Sequence, residues 1–227
     1  MSECVFGAFG KMPSVGDFFR ISAPNAFVQV WDEWLQKCLV SGAHSFGQRW
    51  DELYMSVPIW RFCLSENLAG PDKIIGVLMP SIDRVGRRFP LTLMAKLPED
   101  SSVVLDHFLQ GDVFASLEDT ALSMLEDDAT RDGLETALTS VAEPQAIRTT
   151  AFAKNGGTSI VQHGLGQTAT PAILASTCLA GQYTKPSVWS AVMEDDTRLM
   201  VCDGLPEGAN MQGLFDLDAD VWKEHAL

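Results

Sequence analysis

The sequence contains no apolar run long enough to cross a membrane. The longest, Ile74 to Met79, has six residues, whereas a membrane-spanning helix needs about 20. The chain begins Met-Ser-Glu-Cys and has neither the basic start nor the apolar core of a secretory signal. These absences predict a soluble, cytoplasmic protein with no direct membrane insertion.

Basic side chains are also scarce. The formal net charge is −14, and an acidic chain repels nucleic acid and anionic lipid, so we expect no nucleic-acid partner. Residues 99–143 carry twelve acidic side chains and one basic, and residues 194–227 carry nine acidic and two basic. Such blocks are typical of solvated helix faces, with a docking site as the alternative.

Clusters of cysteine and histidine are missing as well. The five cysteines and four histidines are isolated in the sequence, without a Cys-x-x-Cys pair. This spacing predicts reduced thiols, as in a cytosolic protein, and indicates no local metal site. We therefore predict neither a metal nor any other cofactor.

Local catalytic signatures are absent too. Gly10-Lys11 invites comparison with a phosphate-binding loop, but that motif needs Ser or Thr after the lysine and another glycine five residues before Gly10. Met12 and Val5 occupy those positions. The chain also has no GxGxxG, GxSxG or HExxH pattern. No catalytic residue is assigned, and we predict that the protein is not an enzyme.

The composition fits one folded domain over residues 1–227. Apolar residues make up 46% and charged residues 20%, which is the balance of an ordinary globular chain. We divide the domain into a motif-bearing N-terminal part (1–98), an acidic helical segment (99–143) and a C-terminal β/α part (144–227).

Hydrophobic periodicity predicts the elements of the N-terminal part. A helix is expected over 26–40, with Asn25 as its cap, and a second helix over 46–55. The apolar face of the first consists of Phe27, Val30, Trp31, Trp34, Leu35, Cys38 and Leu39. Strands are predicted over 5–11, 58–64, 74–79 and 90–97.

Helices and hairpins are predicted for the remainder. Ser102, Asp112 and the Asp132/Glu135 pair are the expected helix caps. A hairpin is predicted from 147–153 and 158–162, a helix from Thr170 to Gly181, and a last hairpin from 188–193 and 198–202. The fold class is α/β: a three-layer α/β/α-like sandwich with a mixed, largely antiparallel sheet flanked by helices.

Four strings in the N-terminal part occur in a specific order. They read FGKMPSVGDFFR at 9–20, WDEWL at 31–35, PIWRF at 58–62 and GVLMPSIDRVGRRFPLT at 76–92. Over roughly residues 5–98 they closely resemble the TagF family of type VI secretion-associated proteins. The resemblance implies a cytoplasmic accessory protein that represses the secretion system after translation by binding its forkhead-associated scaffold protein.

The charged residues of these strings are the candidate functional residues. If they converge, they form either a buried, paired network that fixes the turns or a recognition surface whose arginines bind carboxylates or phosphates. Tryptophan is more often core than contact, but it is also common in interfaces. The candidate set is Lys11, Ser14, Asp17, Arg20, Trp60, Arg61, Asp83, Arg84 and Arg87.

Two other functions stay open at this point. One is a purely structural subunit. The other is a hydrolase or phospho-group-handling enzyme with a pocket around Lys11, Ser14, Asp17, Arg84 and Arg87. Its test is whether Ser14 and Asp17 line a deep cleft with a plausible base or lie in a shallow, filled turn.

Overall fold

A computed structural model describes residues 5–98, 101–145, 147, 152–155, 158–162, 169–194 and 196–223. In chain order the strands are β1 (Phe6–Gly10), β2 (Phe19–Ile21), β3 (Trp60–Leu64), β4 (Ile74–Met79), β5 (Leu91–Lys96), β6 (Phe152–Asn155), β7 (Thr158–Val161), β8 (Pro186–Val192) and β9 (Thr197–Asp203). Seven of them form one sheet in the order β2-β1-β5-β4-β3-β8-β9, and β6 and β7 form a separate ladder.

The helices lie between these strands in the chain, except the last, which follows β9. They are α1 (Asn25–Phe46), α2 (Trp50–Ser56), α3 (Val103–Leu109), α4 (Gly111–Ser123), α5 (Arg131–Leu138), α6 (Ala169–Leu179) and α7 (Gly208–Gly213). Short 3-10 turns occupy Gly47–Arg49 and Asp220–Trp222. In the described part of the chain, no helix is both long and apolar enough to span a membrane.

The strand pairs of the described chain are antiparallel. Among the described residues, a parallel contact is present only as the isolated bridge between Ala8 and Ser22. The sheet and its helices confirm the α/β class. We expected a mixed, largely antiparallel sheet; its antiparallel character is confirmed, but the described strands include no parallel pair. The reason is that β3, β4 and β5 follow one another through connections without a helix, and a parallel pair needs a longer crossover.

Side chains alternate along the strands between two apolar clusters. Phe62 and Trp189 pack in one cluster with the apolar side of α1. Cys63 and Val188 belong to the other, together with residues of α3, α4 and α5. This alternation follows from the two-residue period of a strand, and it explains why β3 and β4 are apolar along almost their whole length.

Helix α1 is longer than predicted and begins differently. Its buried residues are Phe27, Trp31, Trp34, Leu35, Cys38 and Gly42, but Val30, expected on the same face, is exposed. The N-terminal cap is Pro24, without a side-chain cap, so the cap predicted at Asn25 was wrong. Asn25 is the first helical residue, and its side chain accepts a hydrogen bond from Arg20 instead.

The other caps are confirmed in one case and wrong in two. Ser102 accepts a hydrogen bond from the Leu105 N–H, as predicted. Helix α4 begins one residue before Asp112, and α5 is capped by Thr130, whose hydroxyl accepts from the Gly133 N–H. At this position the Thr130 hydroxyl accepts from an otherwise unpaired backbone N–H group of the first helical turn, which is the role expected of the predicted capping box.

The C-terminal predictions agree with the structure where it describes them. Strands β6 and β7 pair with each other, as expected for the first hairpin, and β8 and β9 form the predicted last hairpin. Helix α6 ends before Gly181, whose φ of 80° is typical of a glycine that follows a helix. The predicted strand over 147–153 falls partly outside the described residues.

Candidate functional site

Two loops that carry the motif strings lie against each other. One joins β1 to β2 (residues 11–18), and the other joins β4 to β5 (residues 80–90). They meet because β1 and β5 are neighbours in the sheet. The Arg84 N–H donates to the Val15 carbonyl at 3.3 Å, and the Arg87 guanidinium donates to the Gly16 carbonyl at 2.6 Å.

A buried acid at the centre of the second loop ties the two loops together. The Asp83 carboxylate lies 2.8 Å from Lys11 Nζ and 2.6 Å from Arg87 Nε. It also accepts the backbone N–H groups of Val85 at 3.0 Å and Arg87 at 2.8 Å. The Lys11 and Asp83 side chains are 4% and 0% exposed, whereas the Arg87 side chain is 58% exposed. The three charges therefore form one network that runs from the interior to the surface.

The electrostatics of this network keep the acid ionised. Burial alone raises the pKa of the Asp83 carboxyl, but hydrogen bonds from Lys11, from the Arg87 backbone and side chain and from the Val85 backbone hold that pKa well below its usual range. Removing one partner of a buried ion pair leaves the other charge uncompensated. Lys11 and Asp83 therefore stabilise the loop conformation.

The outer side of the loops presents positive charge beside apolar side chains. Arg84 is exposed, its guanidinium lies over Gly16, and no ion pair of its side chain is present among the described residues. Phe18 is 48% exposed and Val85 is 69% exposed. Lys11 Nζ lies 4.6 Å from the centre of the Phe18 ring, which links the ring to the charge network. We call Arg84, Arg87, Phe18 and Val85 the arginine patch.

Ser14 and Asp17 do not form a reactive pair in this arrangement. The Ser14 Oγ is buried and has no hydrogen-bond partner in the described part of the chain. Asp17 is exposed and its carboxylate accepts the N–H of the next residue, Phe18, at 2.9 Å. The Lys11 ammonium is bound to Asp83. Among the described residues, then, no base contacts the Ser14 hydroxyl, and nucleophilic activation needs such a contact.

The remaining predicted residues bind elsewhere. Arg61 forms a two-pronged pair with Glu118 at 2.7 and 2.6 Å, and these hydrogen bonds raise the pKa of its guanidinium. Trp60 is 1% exposed and donates to the Leu214 carbonyl at 2.9 Å, so it belongs to the core. Arg20 is exposed beside Asn25. The structure thus brings Lys11, Asp83, Arg84 and Arg87 together but gives Arg20, Trp60 and Arg61 other partners.

Two residues that support the second loop were not predicted from the sequence. The Tyr54 hydroxyl donates to the Ser81 carbonyl at 2.8 Å and accepts the Ser81 N–H at 3.1 Å. Arg88 pairs with Asp51 at 2.6 Å. The two supporting residues, Tyr54 and Asp51, lie in α2, which the sequence indicated only as a helix over 46–55. A helix with a tyrosine and an acid on one side was the available signal, but it does not say which loop they meet.

A protein-family model and a solved structure are similar to this chain. A sequence model described as the TagF N-terminal domain, type VI secretion system-associated, matches residues 7–141. The solved structures similar to this chain include the crystal structure of PA0076 from Pseudomonas aeruginosa PAO1 at 2.05 Å resolution, with a TM-score of 0.76 and 29% identity over 97% of this chain and 98% of that chain. No curated protein sequence matched.

Proposed function

The chain belongs to the TagF family of type VI secretion-associated proteins, and we propose that it is a non-enzymatic negative regulator of a type VI secretion system. It acts after translation, by binding the forkhead-associated scaffold protein of the system. It works in the cytoplasm, without a cofactor, a nucleic-acid partner or direct membrane insertion. The family match supports the link to secretion, and the geometry of the two loops supports binding in place of catalysis.

One observation carries the binding part of the proposal. Adjacent residues of the second loop have opposite environments: Asp83 is buried and paired, whereas Arg84 is exposed and has no described ion pair. The buried Lys11–Asp83 pair and the Tyr54 hydrogen bonds hold the loop in place. A rigid loop that presents a free guanidinium loses little conformational freedom on binding, which favours recognition.

The chemistry of the arginine patch indicates the kind of surface that it binds. A guanidinium matches carboxylate and phosphate groups through two parallel hydrogen bonds. Phe18 and Val85 add apolar area beside the two arginines. Arginine next to an aromatic ring is a frequent composition of interface hot spots. We therefore assign an acidic or phosphorylated surface of the scaffold protein to this patch.

The experiment is to replace Arg84 with alanine and to measure scaffold binding and secretion. Arg84→Ala should weaken binding by about 1.5–3 kcal/mol, or roughly 10- to 150-fold, because one charged hydrogen-bonding group is lost. Secretion should then escape repression. Higher salt should weaken wild-type binding as well, since the contacts are exposed. Arg49, an exposed arginine outside the patch, gives the matched control Arg49→Ala.

The melting temperature separates this outcome from unfolding. Arg84 contributes no described ion pair, so its replacement should leave the melting temperature unchanged. Arg87→Ala should lower it, because Arg87 also binds Asp83 and the Gly16 carbonyl. A folded Arg84→Ala protein that binds the scaffold and represses secretion like the wild type would show that the patch is not the binding surface.

The last part of the proposal concerns how the chain is organised into a domain and layers. We propose one domain over residues 1–227, arranged as a helix layer, the sheet and a second helix layer. The two apolar clusters support this arrangement, since α1 contributes to one and α4 to the other. The family match spans the motif-bearing part from residue 7 onward and the acidic helical segment up to residue 141.

A further inference from the structure

Strand β9 ends the sheet on the side opposite to β2. It pairs with β8 on one side over seven residues, Thr197 to Asp203. In the part of the chain that the structure describes, no strand pairs with its other side. The second edge strand, β2, has only three residues. The long edge of the sheet is therefore β9.

The hydrogen bonds of the β8–β9 hairpin show which backbone groups of β9 point outward. Gly204 N–H donates to the Lys185 carbonyl, and Met193 N–H donates to the Asp196 carbonyl, both at 2.9 Å. Hydrogen-bonded pairs alternate with non-bonded pairs along an antiparallel ladder. Even-numbered residues of β9 thus bond to β8, and Leu199 and Val201 direct their N–H and carbonyl groups away from it.

These outward groups form an open template for another strand. Among the described residues, the outward backbone groups of Leu199 and Val201 have no hydrogen-bond partner. The Leu199 side chain is 43% exposed, and Val192 of β8, on the same side of the sheet, is 56% exposed. A partner strand would gain main-chain hydrogen bonds from the edge and apolar contact from these two side chains.

The charge of this region decides between the possible occupants. Glu194 and Asp196 precede the strand, Asp203 ends it, and residues 194–227 carry nine acidic and two basic side chains. An antiparallel pairing of two copies would place the acidic start of one strand beside the acidic end of the other. Like charges across strands are destabilising, and a net charge of −14 on each copy adds to the repulsion.

We propose that the outer edge of β9 is a second docking surface, which binds an extended segment of a partner protein by strand addition. The segment has apolar or β-branched residues at its centre and basic residues at both ends. This surface lies at the other end of the sheet from β1 and β2, whose connection carries part of the arginine patch. The two surfaces can therefore bind different partners or two parts of one partner.

The test uses the whole chain and a synthetic peptide, Lys-Lys-Thr-Val-Thr-Val-Thr-Lys-Lys, with a version in which glutamate replaces lysine as the control. Amide hydrogen exchange is measured residue by residue. The basic peptide should slow exchange at Leu199 and Val201 at least about tenfold, because their N–H groups become hydrogen-bonded. The acidic peptide should leave both amides unchanged.

A matched pair of variants tests the backbone contribution. Leu199→Pro removes an outward N–H but no bond to β8, and proline is tolerated on edge strands at such positions. It should weaken binding of the basic peptide at least about tenfold, whereas Leu199→Thr, which keeps the N–H, should stay within about threefold. The exchange experiment on the unsubstituted chain decides the question even if the proline variant fails to fold.

Three results would overturn the proposal. One is unchanged exchange at Leu199 and Val201 with saturating basic peptide. Another is equal protection by the acidic peptide, which would contradict the charge argument. The third is a wild-type dimer in sedimentation that Leu199→Pro converts to monomer, which would assign the edge to a second copy. None of these results depends on the arginine patch or on the forkhead-associated scaffold protein.

Discussion

Lowering the pH from 7 to 5 should destabilise the protein through His107. This histidine lies in α3 and is only 5% exposed. Its Nε2 is 2.8 Å from the Ser190 Oγ, and its Nδ1 is buried without a hydrogen-bond partner among the described residues. Burial lowers the pKa of His107 to about 3, and the positive charge of Arg61 contributes to the shift.

The sign and size of the effect follow from the two protonation states. In the unfolded chain the imidazole has its ordinary pKa of 6.5. Between pH 6.5 and about 3 the unfolded state therefore binds a proton that the folded state does not, and stability falls as the pH falls. The slope is about 1.4 kcal/mol per pH unit. Lowering the pH from 7 to 5 should thus cost roughly 2 kcal/mol of unfolding free energy.

The two acids whose pKa values are lowered contribute little in this window. The Asp83 and Asp203 carboxyls have pKa values below their ordinary one, so they are ionised in the folded and the unfolded chain above pH 5. Their stabilising effect is lost only at lower pH. These two carboxyls therefore leave the histidine contribution unmasked between pH 7 and 5.

The assay is urea unfolding followed by tryptophan fluorescence at pH 7, 6 and 5. His107→Gln, which keeps a polar group near Ser190 but does not titrate, should flatten the pH dependence by about the same 2 kcal/mol. His44→Gln at an exposed position of α1 is the matched control and should retain the wild-type slope. Equal slopes for the wild type and His107→Gln would refute the reasoning.

Three further predictions concern packing. Trp34 is 5% exposed, so Trp34→Ala should lower the unfolding free energy by about 3–5 kcal/mol; an unchanged melting temperature would contradict its burial. At Gly76 an added methyl would overlap the Leu93 carbonyl oxygen in the middle of the sheet, so Gly76→Ala should cost about 3 kcal/mol or more. Gly111 has open space around it, and Gly111→Ala should stabilise the protein by about 0.4–1 kcal/mol. Thermal unfolding measures the effects of Gly76→Ala and Gly111→Ala. Similar shifts in melting temperature for these two variants would refute the steric argument.

Local patterns were sufficient for the elements themselves. The strands over 74–79 and 90–97 and the apolar face of α1 were predicted because hydrophobic periodicity reports which side of an element is buried. The prediction of Val30 on that face was wrong because only part of the helix surface packs against the sheet. The period of the apolar residues gives the direction of the buried face but not its width. The cap at Thr130 was missed because several polar residues near α5 offer equivalent oxygens.

Four ordered strings in the sequence were sufficient to single out the motif residues and to identify an acidic α/β protein of the TagF family. The sequence did not reveal that Lys11 pairs with Asp83, 72 residues away, or that Arg84 faces outward; these facts come from the fold. Which loops meet depends on strand order, here β1 beside β5. Strand order is set by long-range pairing and by the packing of both faces, and neither is encoded in the spacing of residues along one segment.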